Sequence, residues 1–293
     1  MLRPLERLRE EQKLPTSSGN LKIAPSLREA ASRTAVQLCD VEIEFKIKNG
    51  AIFKAVASTT LMVRAGEFVA IVGPTGCGKS TLLNASAGLL RAASGHVEIF
   101  GEVLRGLNAD AGYLFQQDAL MPWKSATDNI AIAVEVTGTP RRTAVAEARE
   151  WLSRVGLNEF GDRYPHQLSG GQRKRVGLAQ VLIRQPKILL MDEPFGPLDA
   201  QTRQIMGNVL LELWAKDRKA VLFVTHDLEE AIALSDRVVI MSASPEARII
   251  GDYSIDLERP RDATDVRLQP RFHELHRMIW SQLKAEVVKT YGI

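Results

Sequence analysis

Gly73-Pro74-Thr75-Gly76-Cys77-Gly78-Lys79-Ser80-Thr81 decides how the rest of this chain is read. The stretch satisfies G-x-x-x-x-G-K-[ST], a loop that wraps phosphate. Glycines let the backbone curl until successive N–H groups converge on an anion, and a helix N-terminus adds the positive end of its dipole. Lys79 can reach β- and γ-phosphates as a mobile point charge, and the Ser80 hydroxyl suits Mg²⁺. The flanks agree. Residues 67–73 read as a short buried strand entering the loop, and residues 82–87 as a helix leaving it, with Gly88 as its C-terminal cap.

Upstream, residues 41–47 alternate apolar and charged side chains, the pattern of a strand with one buried face. Asn49-Gly50 signals a turn, and residues 51–57 and 60–64 continue as strands. Downstream, strands are expected at 97–100 and 112–115. Helical periodicity follows to about Tyr164, with Thr143 capping a helix whose Val145, Ala148, Leu152 and Val155 share a face. A helix from 168 to about 185 stops at Pro186. An apolar strand (187–192), a helix (201–216), a strand (220–225), a helix (228–234) and a strand (237–241) complete the frame. Strands alternating with helices after the loop indicate a largely parallel, covered sheet. Residues 1–36 read as a flexible N-terminal extension and 37–245 as the body, with a helical subdomain at about 117–180. Residues 246–293 read as a C-terminal extension whose Phe272, Leu275, Ile279 and Leu283 form one apolar helix face.

Composition narrows the class. A chain of 293 residues, 45% hydrophobic and 25% charged, can bury a substantial core. Its net charge of +3 and lack of any like-charge block argue against a nucleic-acid binder. The cysteines are Cys39 and Cys77, and the second lies inside the phosphate loop, where a disulfide would obstruct nucleotide; a reducing compartment is expected. No stretch approaches the ~20 apolar residues of a membrane span, and the N-terminus lacks the apolar core of a secretory signal. Membrane work would need another chain.

Three further residues point to chemistry. Asp192-Glu193 end an apolar strand ahead of Pro194. Adjacent strand residues face opposite sides, so both carboxylates can serve one site only if the chain has begun to turn there. Asp192 would then approach Mg²⁺ and Glu193 an attacking water. His226 ends the next apolar strand, and Gln116 follows an earlier one, both at the edge where such sheets gather ligands.

Together these motifs resemble the ATP-binding cassette (ABC) ATPases over roughly residues 37–245. The ordered set is the P-loop at 73–81, the Q-loop Gln116, the signature Leu168-Ser169-Gly170-Gly171-Gln172, the Walker B segment at 188–193, the D-loop Leu198-Asp199 and the switch His226. The resemblance implies an α/β P-loop NTPase with a mostly parallel core sheet, an antiparallel β subdomain and an α-helical subdomain. It implies ATP and Mg²⁺ as cofactors, with Ser80, Gln116 and Asp192 around the metal. Lys79, Gln116, Glu193 and His226 are the implied catalytic set, Glu193 as general base and His226 on the γ-phosphate. Nucleotide would lie between the P-loop of one subunit and Ser169, Gly170, Gly171 and Gln172 of another, with Asp199 nearby and an aromatic, Phe45 before Phe53, on adenine. The implied partners are a second ABC ATPase subunit, identical or paired, a transmembrane permease and a separate solute-binding protein, with the chain peripheral at the cytoplasmic face of the inner membrane.

Phe115-Gln116-x-x-x-Leu120-Met121-Pro122-Trp123, Tyr164-Pro165-His166-Gln167, the run 192–200 and Leu257-Glu258-Arg259-Pro260-Arg261 resemble the nitrate, sulfonate, taurine and bicarbonate importer ATPases. Lys174, Gln180 and Pro197 depart from common family choices. A soluble ABC ATPase acting on nucleic acid or the ribosome is the rival reading. Such chains carry long coiled coils between P-loop and signature or two cassettes in tandem, and neither is visible here. His273-Glu274-Leu275-His276 spaces its histidines by three rather than four and is no zinc-protease motif.

Overall fold

The computed structural model describes residues 34–48 and 50–291. The main sheet has six strands in the order β10-β9-β3-β8-β7-β6. These are β3 (Phe68–Val72), β6 (Ala111–Leu114), β7 (Ile188–Asp192), β8 (Ala220–Val224), β9 (Arg237–Met241) and β10 (Ile249–Ser254). β6, β7, β8, β3 and β9 are mutually parallel, and β10 closes one edge antiparallel to β9. A second, antiparallel sheet runs β2-β1-β4-β5: β1 (Thr34–Lys46), β2 (Ile52–Arg64), β4 (Ser94–Ile99) and β5 (Glu102–Val103).

The period of two along each central strand builds two cores from one sheet. Phe68, Ala70 and Val72 of β3, Leu189 and Met191 of β7, and Val221 and Phe223 of β8 pack on one side, against helices α5 (Ala200–Lys216), α6 (Leu228–Leu234) and α7 (Pro270–Tyr291). Val69 and Ile71, Ile188 and Leu190, and Leu222 and Val224 face the other side, where α1 (Lys79–Ser86) and the antiparallel sheet cover them. A third core joins α2 (Ala126–Glu135), α3 (Arg141–Arg154) and α4 (Gly170–Leu182) through Ile130, Ala148, Leu152 and Val176.

Several boundaries move relative to the sequence reading. β1 begins at Thr34, so residues 34–36 join the sheet, while residues 1–33 and Asn49 lie outside the described residues. Thr143 is inside α3, which starts after Pro140; proline fixes its own φ and suits a helix start. Residues 249–254 complete the main sheet rather than trailing from it, because β10 pairs with β9.

The Leu257–Arg261 run has a structural explanation. The Arg261 guanidinium donates to the carbonyls of Ser235 (2.6 Å) and Leu257 (2.7 Å), tying the chain to the end of α6. Arg259 donates to Asp236 at 2.7 Å and lies over the Trp214 ring at 4.3 Å, a cation–π contact. Burial lowers the pKa of both guanidiniums, that of Arg261 to about 10. This strap leads into α7, whose Phe272, Leu275, Ile279 and Leu283 are all buried, and Gln282 then donates to Ile250 O at 2.6 Å. Helix α7 therefore belongs to the core. Ile279→Ala should destabilise the protein by about 2–5 kcal/mol through lost burial and a residual cavity. A fall in the urea midpoint checks this, and an unchanged midpoint would detach α7 from the fold.

Candidate functional site

Parallel pairing sets the site. Ile71 and Asp192 both register with Val224, so β3, β7 and β8 end within a residue or two of one another. From those ends emerge the loop at 73–78, the Asp192–Glu193 pair and His226. Glu193 and His226, with Gln116, which follows β6, line a cleft of about 470 Å³ whose other walls are Thr75, Gly76, Gly78, Lys79, Ser80 and Thr81.

Gly78 caps α1 at φ 94°, a left-handed conformation open to glycine, and a side chain there would strike Val56 Cγ2 at 2.8 Å. Among the described residues no side chain caps α1, which leaves its first N–H groups open to an anion. Lys79 is 5% exposed, and its ammonium donates to Gly73 O and Pro74 O, both at 2.9 Å. Cys77 is fully buried, and burial pushes its thiol pKa up, so it stays a neutral packing group.

Ser80 Oγ donates to Asp192 Oδ1 at 2.7 Å, joining α1 to the end of β7. Burial raises the Asp192 pKa, opposed by this hydrogen bond and by Lys79, and assisted by the charge of Glu193. Glu193 has φ 40°: the chain has left strand geometry, which lets the second carboxylate turn into the cleft. Its Oε2 meets His226 Nδ1 at 3.0 Å and accepts from Gln116 Nε2 at 3.3 Å. Elements distant in sequence thus converge on one carboxylate oxygen.

Other predicted residues stand elsewhere. Ser169 caps α4, accepting from Gln172 N at 3.2 Å while Gln172 Oε1 accepts from Ser169 N at 2.9 Å. Ser169, Gly170, Gly171 and Gln172 do not line the cleft of their own chain. Neither does Asp199, whose carboxylate caps α5 by accepting from Thr202 N at 3.0 Å and whose pKa is lowered by the Thr202 side chain and then by that backbone bond. Phe45 pairs across β1 and β2 with Phe53; both are partly exposed, and neither is a wall of the cleft.

Two of the departures acquire roles. Lys174 is buried, pairs with Asp118 at 3.0 Å and donates to Gln116 O at 2.6 Å, so it anchors the loop that carries Gln116. Gln180 Nε2 donates to Asn129 O at 2.8 Å, tying α4 to α2. Pro197 occupies an exposed turn, and nothing in the structure explains the choice.

Sequence reasoning missed Tyr113 and Glu230. Tyr113 OH donates to Asn84 Oδ1 at 2.8 Å, and burial beside the Asp192 carboxylate pushes its pKa far up. Glu230, in α6, accepts from Thr225 Oγ1 at 2.5 Å, and its other oxygen has no partner among the described residues. Thr225 Oγ1 accepts from Asp227 N at 3.0 Å, Asp227 accepts from Arg203 at 2.8 Å, and Arg203 donates to Leu198 O at 3.1 Å. The chain of bonds connects the segment before Asp199 to the residues on both sides of His226.

A glycine-wrapped helix N-terminus, a lysine, a serine–aspartate pair and a turned glutamate define a P-loop nucleotide hydrolase. Comparison with known proteins sharpens the class. The ABC transporter family model matches residues 56–196. An uncharacterized ABC transporter ATP-binding protein of Methanocaldococcus jannaschii is 46% identical over 242 residues, covering 83% of this chain and 89% of its own. A taurine import ATP-binding protein, TauB of Rhizobium johnstonii, is 44% identical over 216 residues, 72% of this chain and 82% of that one. The solved dimeric ATP-binding cassette MJ0796, in a post-hydrolysis state with ADP and phosphate, superposes with TM-score 0.67 at 30% identity, covering 76% of this chain and all of that one. The chain belongs to the ABC transporter ATP-binding proteins and is an ATPase of that family.

Burial, with help from Asp227, raises the Glu230 pKa from its ordinary 4.5 to about 7, against the pull of Thr225, Arg203 and Arg267. The folded state therefore binds this proton more tightly than the unfolded chain. The associated stability is complete below about pH 4.5 and is lost as pH rises through about 7. Glu230→Gln should remove that slope, worth at most about 3 kcal/mol. Its urea midpoint relative to wild type should rise between pH 5 and pH 8; parallel pH profiles for the two proteins would contradict the assignment.

Proposed function

We propose that this chain is the energy-coupling subunit of an importer for a small anionic, sulfonate-like solute, working as a pair with a second ABC ATPase subunit. The observation that carries the reading is the convergence of Gln116, Glu193 and His226 in one cleft with Lys79 and Ser80, while the signature residues are not among the walls of that cleft. Each chain supplies half a site: the loop at 73–81 and Glu193 from one copy, and Ser169 to Gln172 from the other.

The phosphates of ATP lie against the N-terminus of α1, and Lys79 exchanges its loop carbonyls for phosphate oxygens. Ser80 Oγ and Asp192 Oδ1 are hard oxygen donors meeting beside the phosphate loop, the donor chemistry Mg²⁺ prefers. They would hold that ion, with Gln116 alongside, and bound there it neutralises phosphate charge. Glu193 accepts a proton from the attacking water, and the contact with His226 and Gln116 holds its carboxylate in place.

The second cleft, of about 410 Å³, lies between β6, the loop carrying Gln116 and Asp118, and helices α2 and α4. We assign it to the permease, because Lys174 fastens this loop directly to the helix that begins with the signature. Trp123, 73% exposed, and Phe115 offer apolar surface at its margin. Among the described residues no helix is long and apolar enough to cross a membrane, in keeping with a separate membrane partner. The sulfonate-like cargo rests on the taurine import relatives.

Glu193→Gln should retain ATP and favour the paired state while lowering turnover by ~10²–10³, the scale for losing one group that acts in the transition state. Steady-state phosphate release and analytical ultracentrifugation with ATP check both halves. Undiminished hydrolysis would remove Glu193 from its role.

A further inference from the structure

The geometry points to a transition-metal site on the outer face of the antiparallel sheet, formed by Cys39, His96 and Glu98 and suited to a single Zn²⁺-class ion. In the β1–β4 pair, Cys39 stands directly opposite His96, and Gln37 directly opposite Glu98. Opposed residues, and those two further along, share one face of a sheet. The alternate positions Val36, Leu38, Val97 and Ile99 are buried in the core, so these four side chains project together on the other side.

A Cys39 sulfur, a His96 ring nitrogen and a Glu98 oxygen all lie within 4.8 Å of one another, and His96 Nε2 is 3.0 Å from Glu98 Oε1. Ligands about 2.0–2.3 Å from a tetrahedral zinc stand roughly 3.3–3.8 Å apart, so small side-chain rotations close the site. Two ligands sit on one strand and one on its hydrogen-bonded neighbour, which presets their spacing. Gly95 tightens the frame: a side chain there would lie 2.3 Å from the carbonyl oxygens of Cys39 and Asp40, so glycine is what lets β4 start so close to β1.

The donor set selects the ion. Thiolate, imidazole and carboxylate favour borderline-soft Zn²⁺ over Mg²⁺ or Ca²⁺, which take oxygen. A thiolate and Glu98 balance a double positive charge. Gln37, opposite Glu98 and two residues before Cys39, shares this face and is placed to give the outer-shell support such ligands require. His96 is exposed and gives an entry path, and three protein ligands leave a fourth position to water. None of the three residues lines the ATP cleft. Metal there would staple β1 to β4.

The test uses full-length protein stripped with chelator, with Co²⁺ as a spectroscopic probe. A tetrahedral thiolate complex shows sulfur-to-cobalt charge-transfer absorption, which Asp192 and Ser80 cannot produce. One Co²⁺ per chain is expected, displaced by Zn²⁺, with the band abolished by Cys39→Ser and retained in Cys77→Ser. His96→Ala and Glu98→Gln should each weaken binding about 10-fold or more, and Zn²⁺ should raise the melting temperature of wild type but not of Cys39→Ser. Far-UV circular dichroism confirms that the surface variants fold. No charge-transfer band in wild type, or a band that survives Cys39→Ser, would overturn the proposal.

Discussion

The register of three parallel strands is the constraint on which everything else depends. β3, β8 and β7 are hydrogen-bonded so that their carboxyl ends fall level, with Val224 opposite both Ile71 and Asp192. A slip of one residue would turn every side chain to the opposite face, exchanging the two cores and pulling Asp192 away from Ser80. Because each of these strands is buried on both faces, the register is held by two hydrophobic cores at once. The 2.7 Å bond from Ser80 to Asp192 then fixes the phosphate loop to the strand that ends in Glu193.

Charge is concentrated where the cores stop. Asp192 is raised by burial and kept useful by Ser80 and Lys79, while Glu193 escapes the strand through a positive φ and stays partly exposed. Behind them Glu230 is nearly dry, with one oxygen on Thr225 and the other without a partner among the described residues. A buried, half-satisfied carboxylate costs stability when charged. Through Thr225 and Asp227 it is tied to the residues flanking His226 and to the Arg203 link to Leu198.

Much of this was legible in the sequence because the signals are local. Helix α6 falls on its expected span, and the central strands declare themselves as short apolar runs. Asp192 and Glu193 were readable together only through Pro194, which implied the turn that φ at Glu193 displays. The illegible features depend on distant partners. Nothing in Leu228-Glu229-Glu230 says that Glu230 is buried and Glu229 is not; packing against Arg203 and Thr225 decides it. Lys174 read as a departure until its ammonium met Gln116 O and Asp118. Phe45 was chosen by position in the chain, and the hairpin sets it opposite Phe53.

Within one chain the signature serine caps its own helix, outside the cleft that holds Lys79 and Glu193. The proposed division of the site between two copies accounts for an exposed serine at a helix start that is already well capped. Mixing a Ser169→Arg subunit with a Lys79→Ala subunit tests this division most directly. Each variant alone is inactive, but the mixed pair contains one complete site, made from the intact loop of the first and the intact signature of the second. Recovery of ATP hydrolysis on mixing is the predicted result. A mixture that forms pairs yet stays inactive would contradict the shared site.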